Sequence, residues 1–209
     1  MTIMIGSSKG YPTKWSNYCE YYCNNQTELS GFVGEHGNIN RFAARFRAAN
    51  CFKEVCFDGY SEVTNNGYSA LCRVMLTWSA FETFMIITGI QQNNLREILD
   101  ARRANDILNQ IRAIDRESRF YNFIYKRVNS IHKSELNNYL NQDPCNITYL
   151  ASAIRHIFAH GWLSPNANQV NPNIVVEICD LLHQFLLSFM DIEFSTYLDK
   201  ALKEFTRSE

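Results

Sequence analysis

Arg155, His156 and His160 stand within six consecutive residues, Arg155-His156-Ile157-Phe158-Ala159-His160, followed at once by Gly161. These side chains suit phosphodiester chemistry. An imidazole titrates near neutrality, so it can take a proton from an attacking hydroxyl or give one to a departing oxygen. A guanidinium stays cationic and can hold phosphate oxygens as charge builds on them. The three groups crowd the last turn and a half of a short, otherwise apolar segment carrying Leu150, Ile154, Ile157 and Phe158. Burying such groups without partners is costly, which places them at a groove or an interface.

Arg155 and His160 are five residues apart, about 140° around an ideal helix. They cannot share one face, although a long arginine and a histidine on the last turn could still point into one cleft. His156 and His160 do stand at i,i+4, a spacing that can hold a metal between two imidazoles. The metalloprotease form H-E-x-x-H fails because Ile157 occupies the glutamate position, and Glu82 or Asp143 would have to supply further ligands. The expectation is therefore no metal and no cofactor. A plain structural role is also open: His160 capping a helix C-terminus, where its charge is favourable, and Arg155 paired with Glu82. His36, His132 and His183 show no partner in the sequence. No cysteine lies in a helix-start or basic setting that marks a low pKa.

The elements that must carry these residues read as helices. Tyr68–Ile90 places Leu71, Met75, Trp78, Phe81 and Met85 at spacings of three and four, with Gly89 as a stop. Asn94–Glu117 and Phe120–Asn141 repeat the pattern. Asp143-Pro144 breaks the chain, Asn146 or Thr148 is placed to cap the next helix, and Gly161 to end it. Pro165, Asn166, Asn168, Asn171 and Pro172 form a polar connection to a last helix from Ile174 to about Phe205. Upstream, an irregular arm or one short helix around Trp15–Cys23 is expected. A breaker cluster follows at Gly31–Gly37, then a short helix over Asn40–Asn50 with Arg41, Arg45 and Arg47 on a basic, potentially phosphate-contacting face. Strand alternation is missing. The reading is an all-α, up-and-down helical bundle over residues 61–209, with a partly irregular N-terminal extension over 1–60.

Composition allows this. The 209 residues are 46% hydrophobic and 20% charged, enough to bury a core. The net charge of -1 and a pI near 6.5 argue against nucleic-acid binding by bulk positive charge, though not against a locally cationic cleft. No segment reaches the roughly 20 uninterrupted apolar residues of a membrane span, and the first residues lack a cationic signal-peptide start. The expected location is the cytoplasm, with no membrane partner. Seven scattered cysteines would be reduced there, most of them serving as small buried apolar residues.

Arg155-His156-x-x-x-His160, closing the helix before the last one, resembles the R-x(4–6)-H signature of the HEPN superfamily, including a polar residue after the arginine. Trp78-Ser79-Ala80-Phe81-Glu82 resembles that family's upstream helix, which often sets a Ser and a Glu near the motif arginine. The likeness spans about residues 68–200. It implies metal-independent RNA cleavage by transesterification through the 2′-hydroxyl, leaving a 2′,3′-cyclic phosphate. Arg155, His160 and Glu82 would be catalytic, with His156, Ser79 and Trp162 supporting the site or binding substrate. It also implies a homodimer in which two motifs meet across a two-fold axis and supply both proton transfers. A toxin or phage-defence role, restrained by an antitoxin or inhibitor protein, follows from the same likeness. Some members carry, two residues after the motif histidine, a tyrosine that a partner enzyme modifies with AMP. Trp162 stands there in this chain, which puts such control in doubt and leaves a stacking surface. The alternative is a HEPN-like module that binds RNA or protein without cutting.

Overall fold

The structure, a computed structural model, describes residues 9–25, 29, 31–166 and 170–208, with side chains as far as Glu204. In order the helices are α1 (Trp15–Asn25), α2 (His36–Cys51), α3 (Glu62–Thr88), α4 (Arg96–Ala101), α5 (Ala104–Ile114), α6 (Arg119–Tyr125), α7 (Ser130–Leu140), α8 (Thr148–Ala159) and α9 (Pro172–Ser208), with a 3-10 turn at Gln92–Asn94. No strand occurs among the described residues, so the chain is all-α. Residues 1–8 and Asn168 lie outside the described residues.

Helix α3 organises the molecule, packing against α2, α8 and α9. The Ser61 hydroxyl caps it by accepting the Thr64 N–H at 3.3 Å, and Gly89 ends it in the left-handed region at φ 68°. Its buried side presents Leu71, Val74, Trp78, Phe81 and Phe84. Phe81 and Phe84 meet Phe189 of α9 at 6.2 and 5.9 Å between ring centroids, and Phe42 of α2 meets Phe84 at 5.8 Å and Phe194 at 5.5 Å. Residues of α1 and α2 thus share one hydrophobic core with the rest of the bundle. Membrane-span length and mean hydropathy are reached by α3 and α9, each with a window averaging 1.4, although neither holds an uninterrupted apolar run. In these windows 56% and 44% of residues are buried inside the molecule, where the two helices pack on each other.

Several boundaries differ from the periodicity. The Asn94–Glu117 pattern breaks at Arg102 and Arg103: Arg103 adopts φ 67°, and Arg102 leaves the helix to pair with the buried Glu193 of α9 at 2.8 Å. The Phe120–Asn141 pattern breaks between α6 and α7, where the Asn129 side chain caps α7 by accepting the His132 N–H at 3.0 Å. Helix α2 begins four residues before Asn40, at His36, so Gly37 lies inside it. The expectation of mostly buried cysteines is corrected: Cys145 and Cys179 are buried, but Cys23, Cys51 and Cys56 are exposed, the first two on outward helix faces and the third in the loop before α3.

Helix α8 runs antiparallel to α3. Its start meets the far end of α3, where Gln92 Nε2 donates to Thr148 Oγ1 at 3.1 Å. Past its end, Pro165 lies against Gly67 near the start of α3; a Cβ at Gly67 would approach the proline ring to 2.4 Å, so only glycine admits this contact.

Candidate functional site

Helix α8 is anchored at both ends. At the N-terminal end the buried Asn146 carboxamide accepts from Thr148 N at 3.0 Å and Thr148 Oγ1 at 2.6 Å, and it donates to the Gln92 carbonyl at 2.7 Å. The N-cap position itself is Ile147, and Asn146, one of the two expected caps, stands one residue before it and closes an Asx turn onto Thr148. The middle buries Leu150, Ala151, Ile154 and Ile157. At the C-terminal end His160 is the cap residue and Gly161 adopts φ 74°. Gly161 N–H donates to the Phe158 carbonyl at 2.9 Å and Trp162 N–H to the Ile157 carbonyl at 3.0 Å, the paired bonds of a Schellman motif. The glycine thus fixes where His160 and Trp162 emerge.

Arg155 points towards α3. Its Nη2 lies 3.7 Å from Glu82 Oε1, too long for a hydrogen bond but within ion-pair range, and both side chains are partly exposed. The same Glu82 oxygen accepts the indole N–H of the buried Trp78 at 2.8 Å. Glu82 therefore satisfies a buried donor and neutralises a cation at once. Ser79, one turn earlier, offers its backbone carbonyl to Thr83 Oγ1 at 3.1 Å and to Arg45 Nη1 at 3.4 Å. Of the three α2 arginines, Arg45 is the one whose side chain bonds to α3 here; Arg41 turns to Asn38 and Arg47 to Tyr11. Met75, Ser79, Glu82 and Ile86 form one outward row on α3, with Met75 and Ile86 exposed.

His156 and His160 sit edge to face, with ring centroids 4.5 Å apart, and Trp162 flanks His160 at 5.7 Å. Trp162 is 56% exposed. Partial burial, then the neighbouring His160 and Arg155, hold the His156 pKa below the usual imidazole value. His156 is thus the group placed between the two motif residues, and Arg155 and His160 point to different neighbours, as the 140° offset implied.

His132 carries no motif signal in the sequence, yet it has partners on two elements. On the first turn of α7, its Nε2 lies 3.0 Å from Ser152 Oγ on α8, one turn before His156, and its Nδ1 lies 2.9 Å from Asn129 Oδ1. Burial and then the charge of His156 lower its pKa. An Asn–Ser–x–His start is legible as a capped first turn, but its pairing across helices is not. The other two histidines also have partners: His36 bonds to Tyr18 Oη at 2.6 Å and stacks on Tyr22 at 3.5 Å, and His183 bonds to Thr77 Oγ1 at 2.7 Å.

The arrangement offers an ion-paired guanidinium and two neighbouring imidazoles at the end of α8, with an exposed indole just past it. That set can bind a phosphate and exchange a proton with it. The surface is open, and two half-open concavities lie elsewhere, beside Asp115–Arg119 and beside Arg102–Phe185. Among the described residues no group of three or more His, Cys, Asp or Glu side chains is placed to hold a metal ion. No family model, curated protein or solved structure matches the chain.

Proposed function

We propose that this protein is a metal-independent RNA endonuclease of HEPN type, acting as a cytoplasmic toxin or phage-defence effector. The observation that carries the reading is the capped end of α8, where Arg155 is held by Glu82 while His156 and His160 stand exposed enough to meet a substrate. In this reading an imidazole removes the 2′-hydroxyl proton and the resulting oxygen attacks the adjacent phosphorus. The bond to the 5′-oxygen breaks, that oxygen takes a proton from a second acid, and a 2′,3′-cyclic phosphate remains. Arg155 stabilises the negative charge gathering on the non-bridging oxygens. Trp162 offers a face on which a base can stack.

In-line displacement sets the proton acceptor and the proton donor on opposite sides of phosphorus. His156 and His160, with rings in contact, leave no room for a phosphate between them. The second proton-transfer group therefore comes from a second copy, and a homodimer brings two motifs face to face. Exposed Met75 and Ile86, in the same row as Ser79 and Glu82, provide an apolar seat for that copy. An inhibitor protein that covers this surface would restrain the activity.

The alternative, a HEPN-like module that binds RNA or protein without cutting, draws support from Arg155 being already paired with Glu82 on α3. Purified protein incubated with labelled RNA in EDTA decides between them. Wild type cleaves, and His160→Ala and Arg155→Ala do not. Cleavage that survives both substitutions rejects the catalytic assignment, and cleavage abolished by EDTA points to a metal.

A further inference from the structure

His132 lies outside the motif, on a different helix, yet its hydrogen bonds lead into it. Asn129 Oδ1 accepts the His132 backbone N–H at 3.0 Å and faces ring Nδ1 at 2.9 Å. A carboxamide oxygen calls for a donor, so Nδ1 carries the ring proton. Nε2 is then left with a lone pair, and the Ser152 hydroxyl, 3.0 Å away, donates to it. Tyr149 of α8 holds the ring edge to face at 5.6 Å. Ser152 and His156 are one turn apart on α8, so the chain of contacts runs Asn129, His132, Ser152, and then along the helix to His156 and His160.

We propose that His132 is a positioning residue of the α8 site: it ties Ser152, and with it the inner end of the imidazole row, to α7, with the Ser152 hydroxyl as donor while the ring is neutral. This rests on the ribonuclease reading above. Protonation turns Nε2 from acceptor into donor. The Ser152 hydroxyl must then reverse, accepting from Nε2 and sending its own hydrogen elsewhere, and a positive charge appears beside His156. The titratable neighbours on α8 are His156 and Tyr149; on the α6 side Tyr125 takes the Lys133 ammonium, 5.6 Å from its ring centroid. Half-burial and the His156 charge both oppose protonation of His132. The tie therefore runs from Ser152 to His132 at neutral pH and reverses direction on acidification.

The test compares wild type with His132→Gln and Ser152→Ala, two small changes that keep a neutral group at each site. Each is expected to slow cleavage about three- to tenfold, the loss of one neutral hydrogen bond, with KM unchanged. The acid limb of the wild-type rate profile is expected to fall with two protons and that of both variants with one, because the His132 proton no longer reaches the site. A merely structural tie would alter the unfolding midpoint and leave the proton count at two; that result overturns the proposal. Histidine ring NMR on the full chain supplies a readout independent of cleavage. His156→Gln is expected to raise the His132 titration midpoint, and an unchanged midpoint overturns the coupling. If wild type does not cleave at all, the ribonuclease reading fails, while the NMR result still decides whether His132 and His156 act together.

Discussion

Replacing Glu82 separates what this residue does for the fold from what it does for the site. Glu82→Ala removes the acceptor of the Trp78 indole N–H, a 2.8 Å bond from a side chain only 3% exposed. An unsatisfied buried donor costs about 1–3 kcal/mol. Glu82→Gln keeps an oxygen in the same place, so the indole bond survives and only the ion pair to Arg155 is lost. That pair spans 3.7 Å between partly exposed groups, a geometry worth about 0–1 kcal/mol. Urea unfolding should therefore show a clear loss for Ala and a loss under about 1 kcal/mol for Gln. On the rate the order differs. Gln frees Arg155 from its orienting partner, and an interaction of up to about 1 kcal/mol corresponds to a drop of about fivefold or less. Two results would refute this reasoning. If Gln destabilises as much as Ala, the indole bond is not what Glu82 contributes; if Gln abolishes cleavage in a folded protein, Glu82 takes part in the chemistry directly.

Gly161→Ala should cost about 1–2 kcal/mol. Nothing lies within 4 Å of the added Cβ, so the penalty comes from backbone at φ 74° alone, and cleavage should fall as His160 and Trp162 lose their fixed exit; unfolding and rate measurements unchanged from wild type would contradict the Schellman assignment. Stability should also fall as the pH is lowered from 7.5 to 5.5. His36, His132, His156 and His183 are all held below the ordinary imidazole value of 6.5, chiefly by desolvation. The unfolded chain takes up those protons first, and each proton of difference removes about 1.4 kcal/mol per pH unit. Asp115, raised from the ordinary 3.8 by burial, acts in the opposite sense towards lower pH, so the comparison belongs in the imidazole range; a urea midpoint that is flat across it would contradict the burial of these rings.

The long core helices and the end of α8 were legible because their signals are local. Leu71 to Phe84 repeats every three to four residues, and Gly89 and Gly161 each stand where a left-handed residue closes a helix. The breaks at Arg102–Arg103 and before α7 were not legible, since each depends on a distant or understated partner: Glu193 on α9 for Arg102, and Asn129 as a cap within a run that still looks apolar-periodic. The Arg155–Glu82 pairing could be anticipated from residue types. His132 could not, because its bond to Ser152 joins residues 20 apart on separate helices with no motif between them. Nor does periodicity show that α3 and α9 are apolar because they bury each other.

The most direct test of the ribonuclease reading is the chemistry of the new RNA ends. Wild-type protein incubated in EDTA with an RNA of defined sequence is expected to leave a 2′,3′-cyclic phosphate on the upstream fragment and a free 5′-hydroxyl on the downstream one, with both signals absent for His160→Ala. A 5′-phosphate product, or cyclic phosphate formed equally by His160→Ala, would contradict it.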